Sequence, residues 1–460
     1  MYYNNLRKVE YKTQSVLNTL GDGVNTYGTP LSIKPSEARD ALNLSSRKLP
    51  ALCTRLGRTE YAISITTPKA MGVRNNQYIH VQDGTTWKYW DYDTEEWVPI
   101  STTLESSEGK ILDFAIGLNR YTVLMNGTDR YSWDGTTATE LTEAPETNMF
   151  VFHNDRAFAL KDNTLYFSKL EDITDWTTIE LTGSVNIANA KGAGTALATY
   201  NNYVTVFTEH SIHLLYGTDP SNFELVDMPG NVGCISDRSV AICNNILYFV
   251  SFDGVYAFKG SEPIKISHKV DEYFKNMNLD YKQSIVASSL YNDLFIAIPS
   301  TAVSTYNDLI LRYNTIEDKW YPESGNIVNF VTVGNKLYGM DKDGTIMQFD
   351  EGTTDCGDEI EWYWESAPRF VRPSAKQTLS CLWLLFDTEE DSNLSIYISN
   401  TFDSDDWKLV NETWSLSDEQ NKKILIPITC ANDIYWYRIK FVGTGYCMIH
   451  YLEEVFRIRE

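Results

Sequence analysis

The sequence predicts an all-β protein: a β-propeller of six or seven blades with an extended N-terminal arm and a C-terminal β-sandwich. Two observations predict the propeller. One stretch has the pattern of a four-stranded antiparallel sheet, and similar stretches recur along most of the chain. A third observation, a change to longer alternating segments after residue 352, predicts the sandwich.

The stretch Ser239–Ser267 contains four short apolar runs divided by turn-forming residues. Asn244-Asn245 and Asp253-Gly254 tolerate the positive φ angles that tight hairpin turns require. The runs are apolar on both faces, so the sheet is expected to be covered on both sides. A small covered sheet joined to copies of itself is typical of a propeller blade. The runs are Val240–Cys243, Ile246–Val250, Val255–Phe258 and Ile264–Ile266.

The copies are marked by an asparagine that precedes a similar strand, at intervals of 35 to 48 residues. Two positions later the residue is apolar or aromatic in six units, and Arg156 breaks the pattern in the third. Strand repeats of this length are typical of propellers, although the WD40 and kelch signatures are absent. The marker residues are Asn76, Asn119, Asn154, Asn202, Asn245, Asn292 and Asn335.

The sequence divides into three parts: a lead-in of residues 1–45, a propeller of residues 46–352 and a sandwich of residues 353–460. In the lead-in, Ser36–Ala41 has the pattern of one helical turn, and a pair of short strands is expected just after it, around Lys48-Leu49-Pro50. Those strands are expected to join the last blade. The alternative is that the first 30 or so residues form an arm that docks on a neighbouring subunit.

The charge balance restricts the function classes. The net charge is −23, with no basic block longer than a dipeptide, which disfavours binding of DNA through its phosphates. A passage walled by carboxylates would instead repel DNA and let it slide, whereas the simpler interpretation is a surface kept acidic for solubility. Seven scattered cysteines without a CxxC pair, together with no apolar signal region, predict synthesis in a reducing cytosol.

The sandwich is predicted from six longer strands separated by turns. Two acidic loops between them are candidates for a channel lining or an interface, and solvated hairpin loops are the alternative. The candidate residues are Glu389, Glu390 and Asp391 in one loop and Asp403, Asp405 and Asp406 in the other.

No motif for catalysis, cofactor binding or metal binding is present, so no catalytic, cofactor or metal residue is assigned and an enzyme is not expected. His210 and His213 are expected on opposite faces of a strand, which disfavours a shared metal. Asp341–Gly344 has the beginning of a calcium loop but is better explained as a hairpin turn of the repeat.

Two stretches of the sequence carry a resemblance to a known family. The first has Ile33-x-Pro35-x-Glu37-Ala38 followed by Leu42-Asn43-Leu44 and Arg55-Leu56-Gly57, and the second runs from Ser211 to Gly254. Together they resemble the tail nozzle and packaged-DNA-stabilising (head-completion) family of tailed bacteriophages over about residues 30–350. The resemblance implies a β-propeller with additional β domains, assembled as a ring, often hexameric, around the DNA exit channel.

The same resemblance implies a location in the virion tail after synthesis in the host cytoplasm, with adaptor or portal proteins and fibres as partners. DNA would pass through the ring without sequence-specific binding, and no cofactor or active-site residue carries over. The alternative function is a tail-tip or baseplate propeller that binds a host receptor or glycan, through loops such as Asp219–Gly233 in the polar excursion Leu214–Gly233.

Overall fold

The computed structural model describes residues 10–100, 102–370, 374–402, 405–410, 414–415 and 419–459, which form two compact units. The propeller unit comprises Glu60–Ile316 and Gly325–Phe349. The sandwich unit comprises Met1–Thr59, Glu317–Ser324 and Asp350–Glu460. The protein is all-β, as the sequence predicts, but the unit boundaries differ from those expected at residues 45 and 352.

The propeller unit is built from seven antiparallel sheets, counted over the described residues and here called blades 1 to 7 in chain order. In blades 1 to 5 four consecutive strands form each sheet. Blade 1 has Pro68–Arg74, Tyr78–Asp83, Thr86–Asp91 and Glu96–Pro99; blade 2 has Lys110–Ile116, Asn119–Met125, Arg130–Trp133 and Ala138–Glu140; blade 3 has Phe150–His153, Arg156–Lys161, Thr164–Phe167 and Gly183–Asn186; blade 4 has Gly194–Tyr200, Tyr203–Thr208, Ile212–Tyr216 and Glu224–Asp227; blade 5 has Ala241–Cys243, Ile246–Ser251, Gly254–Phe258 and Ile264–Lys265.

Blades 6 and 7 complete the series. Blade 6 contributes Val286–Leu290, Asp293–Ile298 and Leu309–Asn314 to the propeller unit. In blade 7 the strands Ile327–Val333, Lys336–Asp341 and Ile346–Phe349 are followed by Arg58–Ala62, which enters this unit at Glu60. The sequence predicts either six or seven blades, and the propeller unit has seven.

The blades close into a ring because neighbouring blades share their apolar cores. Trp87 of blade 1 packs in one cluster with Leu124 of blade 2. Met71 of blade 1 lies in another with Met340 of blade 7, which joins the two ends of the series. Strands that are buried on both faces explain the continuous apolar runs in the sequence.

Local turn chemistry positions the first hairpin of most blades. In four blades both turn residues have φ between 46° and 65°, the left-handed conformation that asparagine and aspartate adopt more readily than other side chains. The prediction that these asparagines close tight hairpins is confirmed. The pairs are Asn75-Asn76, Asn154-Asp155, Asn201-Asn202 and Asn244-Asn245.

Helices are few and short. Within the described ranges, the α-helix is Asp271–Asn276, and the 3-10 helices are Pro30–Ser32, Asp237–Ser239, His268–Val270 and Leu279–Ser284. In the part of the chain that the structure describes, no helix has both the length and the apolar character needed to cross a bilayer.

The sandwich unit has two six-stranded sheets around one apolar core that includes Trp362, Leu382 and Phe441. The first sheet has Glu10–Leu17, Leu44–Ser45, Leu52–Thr54, Gln377–Thr388, Glu419–Pro427 and Cys447–Arg459. The second sheet has Ala38–Leu42, Glu361–Ser366, Asn393–Ser399, Lys408–Leu409, Trp414–Ser415 and Arg438–Thr444. The unit also contains the strands Lys319–Ser324, Thr354–Asp355 and Asp358–Glu359.

The N-terminal segment is part of this sandwich rather than a separate lead-in. Glu10–Leu17 pairs along its length with the strand Cys447–Arg459. The two short strands around Pro50 exist as predicted, as Leu44–Ser45 and Leu52–Thr54, but they pair with each other and with the last strand of the chain. The expectation that they join the last blade is therefore wrong. Their apolar side chains are buried in the sandwich core, which decides where they pack.

The predicted helical turn at Ser36–Ala41 is also wrong, because Ala38–Leu42 is a strand. A β-bulge between Ala38 and Asp40 inserts one residue, so Ala38 and Ala41 both face the core. A bulge of this kind reproduces the three-residue spacing of a helix face. A single helical turn has little stability of its own, and burial in the sheet outweighs it.

Candidate functional site

A central cavity of about 730 Å³ lies between the innermost strands of the propeller unit. All seven blades contribute to its wall, as expected where the first strands of a propeller surround its axis. Representative residues, one from each blade, are Met71, Ile111, Phe152, Ala198, Ala241, Ser288 and Val331.

The ionisable groups that line this cavity are paired with one another or with neighbours. Lys110 Nζ lies 2.6 Å from Asp237 Oδ2, and the backbone N–H of Leu197 donates to the other carboxylate oxygen at 2.8 Å. Arg120 is paired with Asp113. Arg238 contacts Glu108 at 2.5 Å and donates to the carbonyl of Gln283 at 3.0 Å. The Lys110–Asp237 and Arg238–Glu108 pairs link blade 2 and the residues just before it to the 3-10 helix Asp237–Ser239 ahead of blade 5, whereas the Arg120–Asp113 pair lies within blade 2. The first two pairs therefore brace the central cavity.

The bond between Lys110 and Asp237 gives a direct test of this bracing. Asp237→Asn removes the charge partner of a lysine that is largely buried, and we expect it to lower the free energy of unfolding by about 1.5–3 kcal/mol. In a double-mutant cycle with Lys110→Met, the double variant should lose less unfolding free energy than the sum of the losses in the two single variants. Additive losses, measured by urea denaturation of the propeller unit, would show that the pair does not brace the ring.

The acidic loops of the sandwich unit do not form one cluster. Glu389, Glu390 and Asp391 precede the strand Asn393–Ser399, whereas Asp405 and Asp406 precede Lys408–Leu409, which pairs with the far end of that strand. A strand of this length separates the two loops by roughly 20 Å. Asp403 lies outside the described residues. The five described carboxylates are exposed, as in solvated hairpin loops.

A Ser-His-Asp arrangement occurs in blade 4. Ser211 Oγ lies 2.9 Å from His213 Nε2, and His213 Nδ1 lies 3.9 Å from Asp227 Oδ1. The two members that would act as nucleophile and base are 1% and 2% exposed, and Ser211 is also bonded to Thr208 at 2.6 Å. Catalysis requires the nucleophile to reach a substrate. This cluster instead satisfies buried polar groups at a hairpin.

Metal binding finds no support among the described residues, where no group of three or more His, Cys, Asp or Glu side chains is arranged to hold an ion. The predicted hairpin turn at Asp341–Gly344 is confirmed. The Asp341 carboxylate accepts hydrogen bonds from the backbone of Asp343 at 2.9 Å and Thr345 at 2.8 Å, so its oxygen is used by the turn.

A second cavity, of about 510 Å³, lies between blades 3 and 4 and is here called the Arg156 cavity. The hairpin turns of both blades and the start of the Leu214–Gly233 excursion surround it. Its polar and aromatic lining includes Asn154, Arg156, Asn202, Tyr203, Tyr216 and Asn222. The volume is in the range that small-molecule sites occupy.

The guanidinium group of Arg156 is hydrogen-bonded along one edge and lies 5.9 Å from the ring centroid of Phe167 and 6.0 Å from that of Phe223. Its Nη1 donates to the carbonyls of Ser168 at 2.6 Å and Leu181 at 2.8 Å, and the residue is 7% exposed. Among the described residues, no carboxylate lies within ion-pair distance and no acceptor is bonded to Nε or Nη2. Burial lowers the pKa of Arg156, and the charge of Asp219 opposes this shift.

The loop over the cavity is shaped by its own hydrogen bonds. Asn222 Oδ1 accepts from the backbone of Thr218 and Asp219, each at 2.9 Å. Asp219 Oδ1 accepts from the backbone of Ser221 at 3.0 Å and from its hydroxyl at 2.9 Å, and these bonds lower the pKa of the Asp219 carboxyl. The hydrogen bonds that shape the loop are therefore made within the loop, and Arg156 acts on Asp219 only through its charge.

Two features of the sequence are signals for this cavity. Arg156 is the repeat position where a charged residue replaces the usual apolar one, and Leu214–Gly233 is the polar excursion between the fourth and fifth units. Only the folded structure shows that the two lie at one cavity, because blades 3 and 4 must first pack side by side.

Comparisons with known proteins find similarity only to solved structures, and the similarity is low. The chain matches no protein-family model and no curated protein. Among solved structures it is similar to the computationally designed Ika8 protein, with 14% identity, 65% of this chain and 99% of that chain covered, and a TM-score of 0.38.

Two further solved structures are similar at the same level. A chain of the mitotic checkpoint complex has 9% identity, with 65% of this chain and 95% of that chain covered and a TM-score of 0.43. BamB from Moraxella catarrhalis has 11% identity, with 75% of this chain and 100% of that chain covered and a TM-score of 0.40. These superpositions are loose, so the assignment of a propeller rests on the sheet topology.

Proposed function

We propose that the protein is a structural subunit of a tailed-bacteriophage virion, a tail nozzle or head–tail completion protein that forms a ring around the DNA exit channel. The sequence resemblance supplies this function. A closed ring of blades with a braced centre supports it, because a conduit needs rigid building blocks rather than a mobile active site.

The observation that carries the proposal is the distribution of charge. Acidic residues outnumber basic ones by almost two to one in the propeller unit, and the ionisable groups that line its central cavity are paired. The excess negative charge therefore lies elsewhere on this unit. A surface of that sign repels the phosphate backbone and lets DNA pass without adhering.

The oligomeric state of the full chain tests this proposal. Native mass spectrometry and light scattering should give a closed assembly of about six chains, since head-to-tail interfaces that close produce rings. Gel-shift measurements with duplex DNA at low salt should show no retardation. A chain that is monomeric both in purified form and in isolated particles, or one that binds duplex DNA, would overturn the proposal.

A further inference from the structure

We propose that the Arg156 cavity is a binding site for an acidic saccharide, in which a sugar ring contacts Tyr203 and Tyr216 and the sugar carboxylate pairs with Arg156. This site is independent of the ring-forming function, and either proposal can fail without the other.

The first step of the argument is the unpaired charge. In a protein of net charge −23, Arg156 is 7% exposed, yet among the described residues no carboxylate lies within ion-pair distance of it, and Asp219 acts on it only as a more distant charge. Its bonds to the carbonyls of Ser168 and Leu181 orient the guanidinium group, and no acceptor in the described part of the chain is bonded to the edge formed by Nε and Nη2. That edge presents parallel N–H groups, which match the two oxygens of a carboxylate.

The second step is the aromatic wall. The rings of Tyr203 and Tyr216 lie 4.9 Å apart, and Tyr216 is 39% exposed. Neither hydroxyl is hydrogen-bonded within the described residues. Tyrosine combines an apolar face with a polar tip, so the pair can contact the C–H groups of a sugar while the hydroxyls bond to its oxygens.

The third step is the amide groups at the rim. Asn154 and Asn202 have positive φ angles in their hairpin turns and line the cavity. The oxygen of Asn222 is occupied by its loop, which leaves its amide N–H groups available. Side-chain amides donate and accept at once, as sugar hydroxyls do, so a polyhydroxylated ligand can be satisfied on several sides.

Other anionic ligands fit less well. A nucleotide phosphate needs several basic groups or a row of backbone N–H groups, and this cavity has a single arginine. A simple aliphatic acid would pair with Arg156 but leave the tyrosines and amides unused. A carboxylate on a ring with many hydroxyls uses all three features.

Titration calorimetry with two matched disaccharides tests the site on the full chain. Digalacturonic acid carries a carboxylate on each ring where α-1,4-galactobiose carries a hydroxymethyl group, and the two are otherwise alike. We expect the acid to bind with a Kd below about 1 mM and the neutral sugar to bind at least tenfold more weakly, since an unmade charged pair costs ~1.4 kcal/mol or more. Equal binding, or no saturable binding of the acid, would overturn the proposal.

Two variants locate the binding. Arg156→Gln should weaken binding of the acid about tenfold or more and leave that of the neutral sugar nearly unchanged, whereas Arg120→Gln in the central cavity should change neither. Because Arg156→Gln also removes two buried hydrogen bonds, Tyr216→Ala is the second variant. This variant keeps those bonds and should weaken the binding of both sugars. Tyr78→Ala in blade 1 is its control. Acid binding that survives both site variants would also overturn the proposal.

Discussion

Glu323→Gln should destabilise the sandwich unit by about 3–5 kcal/mol, the effect expected when one member of a buried ion network is removed. Glu323 is 1% exposed and lies 3.0 Å from Arg58 and 3.8 Å from Arg55. Arg55 is in turn held by Asp355 through two bonds, at 2.8 Å and 2.5 Å. Without the Glu323 charge, two buried guanidinium groups lose a carboxylate that lies within ion-pair distance of both.

The electrostatics of Asp355 support this expectation. Burial disfavours its charged form, yet the hydrogen bonds from Arg55 and the charges of both arginines lower the pKa of the carboxyl below its ordinary value. Its contribution to stability is present at neutral pH and is lost as pH falls through the lowered pKa. The network is therefore a stabilising element above about pH 4.

Hydrogen exchange in urea measures the Glu323 effect in the sandwich unit, on peptides that cover Glu361–Ser366. Peptides that cover Ile246–Ser251 report the propeller unit separately. Glu317→Gln is the matched control, because Glu317 is in the same chain segment but is about half exposed and pairs with Lys319 at 3.6 Å. A surface pair contributes at most about 1 kcal/mol. Equal effects of the two substitutions would contradict the prediction.

His80→Leu should flatten the loss of stability of the propeller unit between pH 6.5 and pH 4.5, by about 2–3 kcal/mol over that interval. His80 is fully buried, neither ring nitrogen has a hydrogen-bond partner, and its ring lies 5.2 Å from that of Trp133. Burial, with a smaller contribution from the charge of Arg74, lowers the pKa of His80 to about 3.

The direction of this pH dependence follows from the state, folded or unfolded, that binds the proton. Below about pH 6.5 the unfolded chain protonates this histidine while the folded chain does not, so each further pH unit costs about 1.4 kcal/mol until the folded pKa is reached. Leucine does not titrate, so the variant lacks this contribution to the loss of stability. Urea midpoints at pH 7 and pH 4.5 measure the difference, with the exposed His210→Gln as control. Parallel pH profiles for wild type and His80→Leu would refute the prediction.

Much of the propeller could be predicted because its signals are local. A turn such as Asn244-Asn245 needs positive φ at both positions, and this preference belongs to the residues themselves. Strands buried on both faces leave continuous apolar runs, so the meander of Ser239–Ser267 was placed nearly to the residue. The number of blades could be decided only from the folded structure, because the sequence of one divergent repeat does not show whether that repeat forms a blade of its own.

The candidate sites could be predicted only in part. Exposure of the acidic loops follows from their composition, but their separation by the strand Asn393–Ser399 follows from strand pairing. The sequence shows Arg156 as an exception in the repeat. Only the fold shows that Tyr203 and Tyr216 of the next blade line the same cavity.

By itself, the sequence determined an all-β chain, the hairpin turns of the blades, the strands of the sandwich and the absence of a familiar catalytic motif. Tertiary structure alone decided that the N-terminal residues complete the sandwich and that Arg55 meets Glu323 and Asp355, which are far away along the chain. The physical reason is range: backbone conformation and side-chain periodicity act over a few residues, whereas burial and ion pairing depend on segments that only the completed fold brings together.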